Sequence, residues 1–348
     1  MVDSMKRLMV VATMLMACGM LAHAQPLGRN VSKVGTAAAP FLEIPVGARA
    51  NGMGNAFVGI SDDATSLYWN PAGMARLSQR EALFTHIDWI ADMSFDYAAF
   101  VLPLGDFGST GLSFTSLSMP DMLVRTVERP DGTGENFGAG SFAVGLHYAR
   151  MLSGRFSIGF TVKYISERIW NMQASAFALD VGTLYEASFL GGLRIGAAIT
   201  NFGSDMTLAG RDTRTFHRID ANKIGSNDQI PENIELDSWH LPLNFQFGIA
   251  TDVLKSDDHL LTVALDALHP NDNYESLNVG MEYGFRRTFF VRGGWQSLFL
   301  TDGEGGLCLG AGVVADLFGG GLKARLDYAY SDYGRLNAVN VFAVSLLF

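Results

Sequence analysis
Charge, cysteine and long apolar runs are all scarce in this chain. Only 17% of its 348 residues are charged, and acids outnumber bases 35 to 25. A net charge of −10 with no basic patch or stripe excludes nucleic acid as a partner. The two cysteines are Cys18 and Cys308. They exclude a thiolate metal cluster, and once a leader carrying Cys18 is removed, Cys308 has nothing to bridge to. Beyond residue 24 no apolar run approaches the roughly 18 residues of a membrane helix, so helical spans are excluded. Yet 48% of the residues are hydrophobic, with 39 glycines and 11% aromatics. That composition is unusual for a soluble domain. The apolar residues are dispersed in alternation, which is how a transmembrane barrel carries them.

Residues 1–24 read as an export signal. Lys6 and Arg7 make a positive start, Leu8 to Leu21 an apolar core, and Ala22-His23-Ala24 a small-residue cleavage site, so the mature chain would begin near Gln25. The competing lipoprotein reading takes Leu15-Met16-Ala17-Cys18 as the cleavage box and Cys18 as the lipidated residue. Met16 fits that box poorly, and the apolar residues after Cys18 look like unfinished signal.

From Glu81 onward, segments of about ten residues alternate apolar with small or polar positions, as membrane strands do. Leu277, Val279, Met281, Tyr283 and Phe285 oppose Asn278, Gly280, Glu282, Gly284 and Arg286. Leu243, Phe245, Phe247, Ile249 and Val253 oppose Asn244, Gln246, Gly248, Ala250 and Asp252. The apolar row is expected to face lipid and the other row the lumen. The pattern predicts fourteen strands: 81–90, 94–103, 108–117, 138–151, 156–167, 174–187, 192–202, 243–254, 259–268, 276–286, 288–297, 307–316, 321–331 and 338–348. With a periplasmic N-terminus, the odd connections lie outside and the even ones are periplasmic turns. The even ones are all short, and the odd ones include 118–137, 203–242, 298–306 and 332–337. The first odd connection, 91–93, is as short as a turn. The last strand sets Phe342, Val344, Leu346 and Phe348 on one face. It resembles the C-terminal strand by which outer-membrane barrels are recognised during assembly. Closure on the first strand would remove an exposed apolar edge. The fold class is therefore an all-β, fourteen-stranded antiparallel transmembrane barrel, integral to a Gram-negative-type outer membrane and in contact with its lipid.

Residues 25–80 do not alternate and are expected to form an N-terminal hatch, because a lumen that wide must be filled or must conduct. Gly47, Gly52, Gly54 and Gly59 would let backbone pass close to backbone. Ser61 is placed to cap a short helix with Asp62 and Asp63 in its first turn. Asn70-Pro71 ends that helix. The run from Phe41 to Met74 includes Gly47, Ala48, Arg49, Gly52, Met53, Gly54, Asp62, Asp63, Asn70, Pro71 and Ala72. It resembles the signature of the PorV/PorQ family, and Asn70-Pro71-Ala72 is also the hallmark of the wider FadL-like transporters. The match covers about 35 residues, and the rest of the likeness is architectural. The resemblance implies a fourteen-stranded barrel with a hatch. PorV-like members escort cargo proteins bearing a C-terminal signal domain through type IX secretion, and PorQ-like members are accessory to it. FadL-like members move hydrophobic compounds across the outer membrane.

Catalytic readings find little. Gly52-Met53-Gly54 lacks the rest of a phosphate-binding motif and its βαβ setting. His217, His240, His259 and His269 have no metal-ligand spacing. No Gly-x-Ser-x-Gly elbow occurs. The loops Asp131–Asn136 and Thr301–Gly306 match no calcium loop closely, and turn chemistry accounts for them. No enzyme, metal or cofactor is expected. Beside a purely structural barrel, two functions stay open: a type IX-like secretion component whose partners are secretion proteins and cargo C-terminal domains, or a channel for hydrophobic small molecules. The loop 203–242, with Phe216, Ile219, Ile224, Ile230, Ile234 and Trp239, suits either one.

Overall fold
A computed structural model describes residues 34–348 apart from Leu190, 219–228 and 318–320. The expected signal peptide, Cys18, the cleavage site, Ile219 and Ile224 lie outside the described residues.

Fourteen strands form the wall. They are β1 Glu81–Trp89, β2 Met93–Pro103, β3 Ser109–Ser118, β4 Ala139–Ser153, β5 Phe156–Ile169, β6 Met172–Glu186, β7 Arg194–Gly203, β8 Asn244–Lys255, β9 His259–Pro270, β10 Ser276–Phe285, β11 Phe289–Leu298, β12 Leu307–Leu317, β13 Leu322–Asp332 and β14 Ala338–Leu347. Each pairs antiparallel with its neighbours in sequence order. The ring closes where β1 meets β14, from Glu81 opposite Leu347 to Asp88 opposite Asn340. A two-residue piece, Ala209–Gly210, lies on the outer end of β6. No described helix is long and apolar enough to cross a membrane.

Burial runs opposite to that of a soluble domain. Phe114, Leu146, Phe177 and Leu326 are exposed, while Asp180, Asp266, Glu282 and Arg292 are almost wholly buried. Alternation explains both rows. Outward side chains meet lipid, and inward ones meet the segment filling the lumen. Bulges interrupt the alternation at three places that matter. At Val253 the register shifts, so Leu254 turns outward although its phase predicts the lumen. The other two, at Asn201 and Ser297, carry left-handed backbone, with φ of 63° and 57°.

Short turns and long loops segregate to opposite ends, as in outer-membrane barrels. The long-loop end is therefore outside. The connection after β5 is shorter than the sequence suggests. Both strands run past the expected ends, leaving only Trp170 and Asn171 to turn the chain.

Candidate functional site
The described N-terminal segment threads the lumen as two single-turn helices, α1 Ala48–Gly52 and α2 Ser66–Trp69, with 3-10 turns at Pro40–Glu43 and Pro71–Arg76. Glycine decides how closely it sits. A Cβ on Gly52 would press on Gly310 of β12, and one on Gly54 on the Trp295 backbone. From the wall side, a Cβ on Gly280 or Gly294 would overlap the Met53 backbone, and one on Gly159 or Gly182 would overlap Asn70 or Pro71. Hatch and wall are thus in backbone contact on opposite sides of the barrel. Gly47 has φ 87° and faces Thr65, so it accepts a conformation that side chains resist. Ala48 and Met53 are fully buried.

Asn70-Pro71-Ala72 serves as a fastening. The Asn70 carboxamide accepts from Ala72 N at 3.2 Å and donates to Val58 O at 3.1 Å and to Thr183 O of β6 at 3.0 Å. Pro71 starts the 3-10 turn, where its missing N–H costs nothing. Across the lumen, Asp266 of β9 accepts from the amides of Phe57 and Val58 at 2.7 and 2.8 Å.

The helix expected to begin at Ser61 does not begin there. Ser61 has φ 33°, and its hydroxyl donates back to Phe57 O at 2.9 Å. α2 starts at Ser66, while Asp63 accepts from the Thr65 amide at 3.0 Å. Arg49 claims the two acids instead. Its guanidinium pairs with Asp62, with Asp63 at 3.0 Å and with Glu282 of β10 at 2.7 Å. Glu282 also takes Arg292 of β11 at 2.6 Å, and Arg292 holds Asp327 of β13 at 2.7 Å. Arg325 closes the network on Asp327 at 2.7 Å and Asp63 at 3.6 Å. Burial alone would raise the Asp63 carboxyl, but Arg49 and Arg325 reverse this and hold it below its ordinary value. The sequence reading placed Glu282 in the lumen row but singled out none of Glu282, Arg292, Arg325, Asp327 and Asp266 as a site residue. All five are charges within membrane strands, and that rarity was the available signal. Which of them meet one another depends on strand register and the hatch path.

Hollows remain above and below the hatch. The inner one, ≈ 210 Å³, is bordered by Asp62, Arg194, Asp252, Lys255 and His259. The outer one, ≈ 360 Å³, lies among Glu43, Trp89, Asn201, Gln246, Gln296 and Tyr333. A third, apolar hollow of ≈ 530 Å³ is on the outer wall around Ile249, Val263, Met281 and Trp295, where lipid would lie. The hydrophobic-channel expectation needs an apolar pocket between loops and hatch, and the cavity found there mixes apolar side chains such as Leu42, Ile44, Trp89 and Leu300 with carboxamides.

Phe342, Val344, Leu346 and Phe348 form one outward row. Phe348 exchanges backbone hydrogen bonds with Arg80 at 3.0 and 3.1 Å and stacks near Phe100. On the long outer loop, Arg214–His217 pairs with Ile230–Asn233, leaving Phe216, Ile234 and Trp239 exposed. The four histidines lie apart, each with its own partner: Glu232 for His217, Asp205 for His240, Tyr283 for His259 and Glu275 for His269. Glu304 of the acidic loop 301–306 is engaged by Arg335, with Arg335 Nε donating at 2.6 Å.

A family model described as type IX secretion system protein PorV matches residues 28–269. No curated protein sequence matches the chain. Among solved structures, a Pseudomonas aeruginosa FadL homologue aligns with TM-score 0.52 at 10% identity, over 88% of this chain and 98% of that one. The Ralstonia pickettii toluene transporter TbuX aligns with TM-score 0.52 at 13% identity, over 87% and 97%. The Pseudomonas putida toluene transporter TodX aligns with TM-score 0.53 at 10% identity, over 87% and 96%. At such identities these likenesses establish the barrel fold.

Proposed function
The chain belongs to the PorV family of type IX secretion system proteins, and from that premise we propose that it holds cargo proteins at the outer face of the outer membrane through their C-terminal signal domains. The barrel anchors it in the membrane, and the hatch keeps the lumen shut while cargo is handled outside. The observation that carries this reading is the family match over 28–269, a span that includes the hatch and the long outer loop. On that loop Phe216, Ile234 and Trp239 stand exposed among polar neighbours, as interaction surfaces do. The hatch motif supports a closed lumen through the fastenings at Asn70, Asp266 and Arg49.

Deleting the gene and profiling surface and secreted proteins tests this directly. Cargo with C-terminal signal domains should accumulate in the periplasm. An unchanged surface proteome, together with impaired uptake of toluene-like hydrocarbons, would overturn the secretion reading in favour of hydrophobic transport.

A further inference from the structure
We propose that the outer cavity between hatch and wall is a binding site for a neutral, hydroxyl-rich ligand of the saccharide class. This inference does not depend on the cargo reading. Its volume of ≈ 360 Å³ lies at the small end of small-molecule sites. Carboxamides converge on it from four separate elements: Asn55 from the hatch, Asn201 from β7, Gln246 from β8 and Gln296 from β11. Asn201 is held by Lys163 and Pro242 O, and Gln296 joins Asn55 to Asp332 O, so these two shape the site, while Gln246 keeps donors and an acceptor side by side, the complement of a vicinal pair of hydroxyls.

The backbone bends to place them. Asn201 and Ser297 are the two positive-φ residues within wall strands among the described residues, and each sits at a bulge bordering this cavity. Asn55, with φ 63°, faces it from the hatch. Asn adopts left-handed backbone with little penalty, so the cost falls on Ser297, and bulges re-aim side chains at functional sites. Both wall bulges turn their extra residue toward this one hollow.

Unused bonding capacity points the same way. Asn55 is nearly fully buried. Its Nδ2 donates to Gln296 Oε1 at 2.6 Å, but its Oδ1 has no partner. The Gln246 carboxamide is buried and, among the described residues, makes no hydrogen bond. An aromatic wall completes the lining, with Trp89 packed edge-on to Tyr333 at 5.5 Å. Indole and phenol faces suit the C–H faces of a sugar ring.

The charges around the cavity are already matched. Lys163 is held by Asp180 at 2.9 Å. Glu43, at the rim, keeps its proton up to about pH 8. A charged ligand finds no counter-ion, and a hydrocarbon would leave the Gln246 carboxamide and Asn55 Oδ1 without partners. An extended peptide finds no free strand edge, because every wall strand is paired on both sides.

The test uses the purified full-length barrel in a zwitterionic detergent that lacks a sugar headgroup. Methyl glycosides of glucose, galactose and mannose are titrated by calorimetry, with toluene as competitor. At least one glycoside should bind saturably, toluene should not displace it, and Gln246→Leu should weaken it about fivefold or more. Gln246 has no protein partner to lose, so this variant should fold. If it does not insert, Trp89→Ala at the rim supplies the same readout. Failure of all three glycosides to saturate by about 10 mM, displacement by toluene, or unaltered affinity in the variants would each overturn the proposal.

Discussion

Arg49 is a hatch residue whose main partners belong to other parts of the chain. Glu282 reaches it from a wall strand and Asp63 from the next bend of the hatch, 14 residues along the chain. Arg49→Leu therefore removes one side of a buried ion network and leaves Asp62, Asp63 and Glu282 short of a counter-charge. Losing one partner of such a network costs roughly 3–5 kcal/mol. The wall keeps Glu282 with Arg292, so the expected result is an unseated hatch within an intact barrel. Planar-bilayer recordings should show open-channel steps for Arg49→Leu at voltages where the parent is silent. Parent-like silence would mean the network does not hold the hatch.

Glu43 supplies a pH dependence. It is open to the vestibule yet walled in by protein, and this burial, followed by the nearby Asp272, pushes its carboxyl up to about 8. The unfolded carboxyl titrates near 4.5. Between these values the folded chain binds the extra proton. The stabilisation is therefore fully present below about 4.5 and is lost as pH rises through about 8. Hydrogen exchange of the Pro40–Ile44 turn should quicken from pH 5 to pH 8 beyond the intrinsic rate, and Glu43→Gln should flatten the excess. An identical excess in Glu43→Gln would exclude this carboxyl as its source.

At the scale of elements, neighbouring glycines of β11 separate two faces. Gly294 faces the hatch, and a Cβ there would overlap the Met53 backbone. Gly293 faces outward, and a Cβ there meets nothing nearer than Leu309 at 4.0 Å. Gly294→Val should leave a heat-modifiable barrel whose hatch is open to protease, whereas Gly293→Val should match the parent. Limited proteolysis on folded protein checks the pair, and equal protection of both would show that the hatch yields to the extra side chain.

The wall strands were legible because period-2 alternation repeats over some ten residues each. Their observed ends fall within two residues of those read from the pattern, as at Ser153 against 151 and Pro270 against 268. What escaped was local. The bulge at Val253 cannot be seen in a pattern that allows one misplaced residue. Ser61 carries a capping residue's chemistry, but the acids after it are drawn to Arg49, and the helix starts at Ser66. Short-range preferences of about 1 kcal/mol lose to a buried charge network.

For the whole molecule, closure is what assembly has to achieve. Phe348 extends the β14–β1 seam through its backbone bonds to Arg80, and its ring lies near Phe100 on the lipid side. Phe348→Ala should lower the amount of folded, outer-membrane-inserted protein several-fold while leaving any protein that does insert heat-modifiable. Quantitative fractionation measures it, and parent-level insertion would remove Phe348 from the recognition step. Replacing the tip of the outer loop, from Thr207 to Ser238, with a short Gly-Ser turn should leave the barrel intact but lose cargo retention. Comparing cell-surface cargo in the two strains checks that outcome.

The sequence by itself determined the barrel, its strand count, its membrane faces and the family signature in the hatch, because each is written in local periodicity or in a contiguous motif. The tertiary structure alone decided how the lumen is closed. The charges that latch the hatch come from residues 49, 63, 282, 292 and 327, and the carboxamides of the outer cavity from 55, 201, 246 and 296. Neighbours so far apart in sequence are set by ring closure, register and two bulges, and no local pattern encodes those.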